Sequence, residues 1–135
     1  MKTEHIAHAA RELVGIPFGH AGRNGYALDC GGLAYLSARM CGLLADYVPP
    51  NYNEAGTADA LESFVSDTCY KVEKEDLRHG DILVFCINNN PAHLAIFCGD
   101  TIIHSHRGLG KVTEERISPG WQKRVHAYYR FKELK

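Results

Sequence analysis

The hydrophobic period of this chain changes once, near Gly80, and that change constrains the fold more than any other feature. Upstream, apolar residues recur at helical spacing. Ile6, Ala9, Ala10 and Leu13 mark one helix over about residues 3–14, which Gly15 and Pro17 end. A second helix is expected over about 30–43, with Leu33, Ala34, Leu36, Met40 and Cys41 inward and Gly42 near its end. Thr57, Ala60, Leu61, Phe64 and Val65 predict a short third helix that starts near Gly56-Thr57. Downstream the pattern becomes β-rich over residues 82–87, 94–98, 101–105 and 125–131. Helices first and strands second predict an α+β fold, with an antiparallel sheet packed on the second helix.

Between these elements, a Gly-rich polar loop from Phe18 to Leu28 leads to Asp29, and Tyr47-Val48-Pro49-Pro50-Asn51-Tyr52-Asn53 cannot continue a helix and reads as a surface loop. With 135 residues, 45% hydrophobic, the expected organisation is one domain over 1–135. No internal repeat or low-complexity segment interrupts it. A net charge of −1, with basic residues scattered apart from Lys123-Arg124 and Arg130-Phe131-Lys132, gives no footprint for nucleic acid. No run approaches membrane-spanning length, and residues 1–8 lack the apolar core of a secretory signal, so neither membrane insertion nor a signal peptide is expected.

Five cysteines are an odd number and none forms a CxxC pair, which argues for reduced thiols. Cys41, Cys86 and Cys98 lie in apolar runs and read as core residues, as distinct from Cys30. Cys30 follows Asp29, a natural helix N-cap, and so falls in the first turn of the second helix, where unpaired N–H groups and the helix dipole favour a thiolate. A thiolate is the nucleophile of acyl-transfer chemistry.

A base is available on the strands. Gly99-Asp100 suits a two-residue turn that pairs Cys98 with Thr101, and this register sets Ala95 opposite His104 and His93 opposite His106. His93, Ala95, Phe97, Ile102, His104 and His106 then share one face. One imidazole can meet the thiol while a second orients it. Register alone leaves the orienting residue open, since His106 is directly opposite His93 and His104 is diagonal. A cysteine at a helix start is usually inert and a lone strand histidine usually structural; the combination carries the reading. His20, in the loop before Cys30, could line the same cleft, whereas His5, His8, His79 and His126 show no partner pattern and read as surface residues.

Other chemistries find less support. Eight histidines and five cysteines raise the question of zinc, but no close ligand pairs such as CxxC with HxxxH occur, and His104-Ser105-His106 has no second pair. There is no GxSxG elbow, phosphate loop or dinucleotide motif.

Four stretches together resemble the NlpC family of papain-like cell-wall cysteine peptidases, and within it the phage-tail branch. They are Gly15-Ile16-Pro17-Phe18-Gly19-His20 with Gly22-Arg23; Leu28-Asp29-Cys30-Gly31-Gly32-Leu33; Arg78-His79-Gly80-Asp81-Ile82-Leu83-Val84-Phe85; and Pro91-Ala92-His93-Leu94-Ala95-Ile96 leading to Ile102-Ile103-His104. The ending Ala127-Tyr128-Tyr129-Arg130-Phe131 is similar to that branch too.

The resemblance implies a papain-like NlpC-type fold in which Cys30 is the nucleophile, His93 the general base and His104 the orienting residue. It implies hydrolysis of an amide in the peptidoglycan stem peptide, typically the γ-D-glutamyl to diamino-acid bond, with no metal or organic cofactor. Phe18, His20, Asp29 and Gly31 are the implied substrate or oxyanion contacts. Relatives commonly carry Tyr where Phe18 stands and Ser where Gly31 stands. The expected partners are the stem peptide and other tail-tip or hub proteins, and the expected place is a virion tail, made in the host cytoplasm and acting in the periplasm or cell wall. The competing expectations are a tail-tip plug that keeps the fold without activity, and an effector injected into rival bacteria.

Overall fold

The computed structural model describes residues 2–49, 51–52 and 56–134. Pro50 and Asn53 of the expected surface loop lie outside these. Helices α1 (Glu4–Glu12), α2 (Cys30–Met40) and α3 (Thr57–Thr68) come first. Strands β1 (Cys69–Val72), β2 (Ile82–Ile87), β3 (Asn90–Cys98), β4 (Thr101–His104), β5 (Thr113–Arg116) and β6 (Val125–Phe131) follow, with a one-turn α4 (Pro119–Gln122) before β6. The strands form one sheet in the order β1-β6-β2-β3-β4-β5, every pair antiparallel. The α+β architecture is the one expected from the change of period.

The two faces of the sheet are covered differently. Ile82, Val84, Leu94, Ile96 and Ile103 pack with Ile6, Ala10, Leu33, Ala34 and Phe64 of the three helices in the main core. Each large aliphatic or Phe side chain buried here contributes ~1.5–3 kcal/mol relative to exposure. On the opposite face Leu83, Phe85, Ala95 and Ile102 form a smaller core beneath Ile117, Trp121 and Tyr128. Between these layers Asp81, fully buried, receives Arg130 through two 2.8 Å bonds and so ties the entry of β2 to β6.

Several expectations need correction. α1 and α2 end two to three residues early, and Gly15 (φ +100°) and Gly42 (φ +82°) lie beyond the helix ends. Met40 is 44% exposed rather than inward, because the buried stripe of α2 runs through Leu33, Ala34, Ser37 and Ala38 and Met40 falls off it. Cys41 and Cys86 are only partly buried, whereas Cys98 is a core residue. β1, β5 and α4 are additional. β5, Thr-Glu-Glu-Arg, is a sheet-edge strand without apolar alternation, and β1 follows α3 with no turn residue between them.

Two hairpins set the register that matters for the site. Cys98 pairs with Thr101 across Gly99-Asp100, as expected, with Gly99 at φ +80°. β2 turns into β3 through Asn88 and Asn89, both at positive φ, a conformation that Asn tolerates better than most residues. The β2–β3 register then slips between Phe85↔His93 and Cys86↔Pro91, which leaves Ala92 as an extra residue just before His93. Such bulges re-aim a strand, and Pro91, without an N–H, suits this one.

Candidate active site

Asp29 caps α2 as its position in the sequence requires. Its Oδ1 accepts from the Gly32 N–H at 2.7 Å and its Oδ2 from the Ala21 N–H at 3.1 Å, so one carboxylate ties the preceding loop to the helix start. The loop can pack this closely only because residue 32 is glycine: a Cβ there would stand 1.7 Å from the Gly22 carbonyl oxygen. Ser105, next to β4, donates to the Leu28 carbonyl at 2.8 Å and joins the same loop to the sheet. These contacts hold Cys30 as the first residue of α2.

The β3–β4 ladder runs from Cys98↔Thr101 only as far as Ile96↔Ile103. Beyond that point the Leu94 N–H faces the Cys30 sulfur, as do the N–H groups of Gly31 and of Cys30 itself. All three favour the thiolate, as expected for a helix start. They do not prevail, because Cys30 is 6% exposed and burial, reinforced by Asp29, pushes its thiol up to about 12. The expectation of a resting thiolate is therefore corrected to a resting thiol.

Two of the histidines are hydrogen-bonded as a pair. His93 Nε2 and His104 Nδ1 are 2.9 Å apart, whereas His106 lies edge-on to His93 with ring centroids 5.5 Å apart and its own Nδ1 accepting from the Gly108 N–H. Burial drives the His93 pKa well below the usual imidazole range, and the neighbouring His104 and His106 act in the same direction. His104, fully buried, is also lowered by burial, although Glu115 opposes this. Cys30 and the two imidazoles are thus neutral at rest.

Sequence reading missed two residues of this cluster. Glu115 Oε2 is 3.1 Å from His104 Nε2 and extends the chain of contacts to β5. Trp121 stacks on His93 with ring centroids 5.1 Å apart at 30°, and stands edge-on to His104. Neither belonged to a motif; the only signal was the Ser118-Pro119 start that caps α4 and sets Trp121 in its single turn.

Cys30, Asp29 and Gly31 line a cavity together with Tyr35, Tyr47, Leu61 and Phe64. Phe18 and His20 are placed outside it. Phe18 bridges Leu28, and its ring carries the Arg107 guanidinium 5.4 Å from its centroid. His20 is exposed and meets the Tyr52 carbonyl at 3.1 Å. Among the described residues no group of three or more His, Cys, Asp or Glu is placed to hold a metal ion, and no helix is long and apolar enough to cross a membrane.

Comparison with known proteins bears on this arrangement. Over 71 residues, 52% of the chain, it is 31% identical to the tail tip assembly protein K of Escherichia phage lambda. The aligned region is 36% of that protein's length. The fold matches an NlpC/P60 family protein from Bacillus cereus with a TM-score of 0.75 and 21% identity, covering 97% of this chain and 40% of that one. It also matches the peptidoglycan hydrolase RipB of Mycobacterium tuberculosis, with a TM-score of 0.68 and 15% identity, covering 98% of this chain and 65% of that one. The NlpC/P60 family model spans residues 15–130, from the loop before Cys30 to the last strand. The chain belongs to the NlpC/P60 family, and its likeness to the lambda tail protein falls on the phage-tail side of that family.

Proposed function

We propose that this protein is a cysteine peptidase that hydrolyses an amide bond in peptidoglycan stem peptides, the γ-D-glutamyl to diamino-acid bond being the expected target, as a component of a phage or phage-like tail. One observation carries the reading: an imidazole held at 2.9 Å by a second imidazole, one residue before the N–H that faces a helix-start cysteine. The family match and the lambda tail relative support the substrate class and the setting. The domain spans residues 1–135 in this reading, and other tail-tip proteins are its partners.

The chemistry follows from the resting protonation. Cys30 is a thiol and His93 a neutral base, so the sulfur attacks the scissile carbonyl as its proton passes to His93, and His104 holds the ring in line. The oxyanion that forms is stabilised by N–H groups of the α2 start, those of Cys30 and Gly31. His93 then protonates the leaving amine, the C–N bond breaks, and water hydrolyses the Cys30 thioester with His93 again as base. Each proton taken up is returned, and no metal or cofactor takes part in this scheme.

The test is cleavage of a purified stem peptide, followed by mass spectrometry, by the wild-type chain and by Cys30→Ala. Cleavage that survives the substitution would remove the assignment. A second reading, a tail-tip subunit that keeps the fold as a plug, is favoured by the closed surroundings of Cys30. Arg23 bonds the Pro49 carbonyl and the Asn51 side chain, and Arg23, Tyr47, Pro49 and Tyr52 line the same cavity as Cys30. An intact stem peptide at high concentration of folded protein would establish that reading instead.

A further inference from the structure

We propose that Glu115 is a positioning residue that fixes the tautomers of both site histidines, so that His93 presents its lone pair at Nδ1. The inference rests on the reading of Cys30 and His93 as nucleophile and base, and adds what makes His93 a base at the right atom.

The placement comes from strand register. His104 pairs with Thr113, so Glu115, two residues on, lies diagonal to it on the same face. Glu114 points the other way and is held by Arg11 of α1, at 2.8 and 2.9 Å, and by Thr101 at 2.7 Å. The two adjacent carboxylates are therefore committed to different elements. Glu115 is free to meet His104 Nε2 at 3.1 Å.

The proton assignments then follow one from another. A carboxylate oxygen can only accept, so the proton of a neutral His104 sits on Nε2 and its Nδ1 carries the lone pair. That Nδ1 is 2.9 Å from His93 Nε2, which must in turn be the donor. His93 Nδ1 is left unprotonated, the one ring nitrogen not already engaged. Reversing the first bond would reverse all three, and the Nδ1 of His93 would carry a proton where the mechanism needs a lone pair. Acting through His104, Glu115 touches neither thiol nor substrate.

The surroundings support neutral rings held in one orientation. The titratable groups against the pair are His106, from the segment after β4, and Glu115, from β5; Arg124 lies over Trp121, whose ring packs on both histidines. Burial lowers the pKa of His104 despite Glu115, which keeps it neutral near pH 7. Trp121 and Phe85 pack on the His93 ring at 5.1 and 5.9 Å between centroids and oppose a ring flip.

The experiment reads protons directly. In protein labelled with 15N-histidine, imidazole couplings distinguish protonated from bare ring nitrogens. Both His93 and His104 should be protonated at Nε2 at pH 7.5. Glu115→Gln can still accept through its amide oxygen and should retain this pattern. Glu115→Lys supplies a donor in place of an acceptor and should shift both protons to Nδ1, with Cys30 alkylation slowed at least tenfold. Glu115→Ala, which introduces no new charge, should give tautomer mixtures and covers the case in which Lys disturbs β5. Nδ1 protonation of His104 in the wild type, or tautomers unmoved in folded Lys and Ala variants, would overturn the inference. A protein with the stated tautomers and no peptide cleavage would support it while removing the peptidase reading; cleavage with tautomers insensitive to Glu115 would do the reverse.

Discussion

Cys30 and Cys69 are both buried, and burial pushes both thiols up to about 12. Cys30 starts α2, with three N–H groups facing its sulfur and the imidazole pair on the adjoining strand. Cys69 follows α3 and starts β1, opposite Phe131, with the Thr68 hydroxyl 3.4 Å from its sulfur. Burial raises both thiols, so the reactivity proposed for Cys30 does not rest on a low thiol pKa. It has to come from a base that accepts the proton as the bond forms.

The largest expected separation between the two is in turnover. Cys30→Ala should lower stem-peptide cleavage by ~10⁴-fold or more, as removal of a nucleophile does, whereas Cys69→Ala should leave it unchanged. Steady-state assays of the two variants would collapse the comparison if they lost activity equally. His104→Ala comes next, with an expected loss of ~10²-fold or more against a few-fold for His106→Ala, since His104 and not His106 is bonded to His93. The opposite ranking in the same assay would mean that His106 moves in when substrate binds.

Thiol labelling sharpens the contrast further. Cys30 should react with iodoacetamide about tenfold faster than Cys69 at pH 7.5, and the advantage should vanish in His93→Ala, as measured by mass mapping. Its pH dependence has a definite sign. His93 has a lowered pKa, so it stays a neutral base above pH 6.5, and the advantage is lost only as the pH falls through the range below it. The same shift makes native stability present above pH 6.5 and lost on acidification, because the unfolded chain takes up the proton first. An advantage that disappears on raising the pH would contradict this assignment.

Smaller effects are expected from substitutions around the two thiols. Phe18→Tyr should raise turnover by ~1–2 kcal/mol of transition-state stabilisation if its hydroxyl serves as a donor near the site, and should be neutral if it only exchanges contacts with Arg107. Gly31→Ser should fold normally, since a Cβ there meets nothing nearer than the Asp29 carboxylate at 3.8 Å. Cys69→Ala should cost ~1–2 kcal/mol in urea unfolding, a packing loss without a functional one.

What the sequence determined by itself was local. The change of period near Gly80 separated helices from strands, Asp29 before Cys30 marked the start of α2, and Gly99-Asp100 set the β3–β4 register, because each depends on residues a few positions apart. Motif order and spacing likewise pointed to the family. Tertiary structure decided the rest. The β3–β4 ladder stops at Ile96↔Ile103 and β4 ends at His104, so His104 rather than His106 meets His93, although pairing extrapolated from the turn placed His106 opposite. Glu115 and Trp121 carry no motif and enter the cluster only through an edge strand and a one-turn helix. The charge state of Cys30 also escaped the sequence: a helix dipole is local and favours the thiolate, but desolvation sums over every neighbour that excludes water, and those neighbours come from segments far apart in the chain.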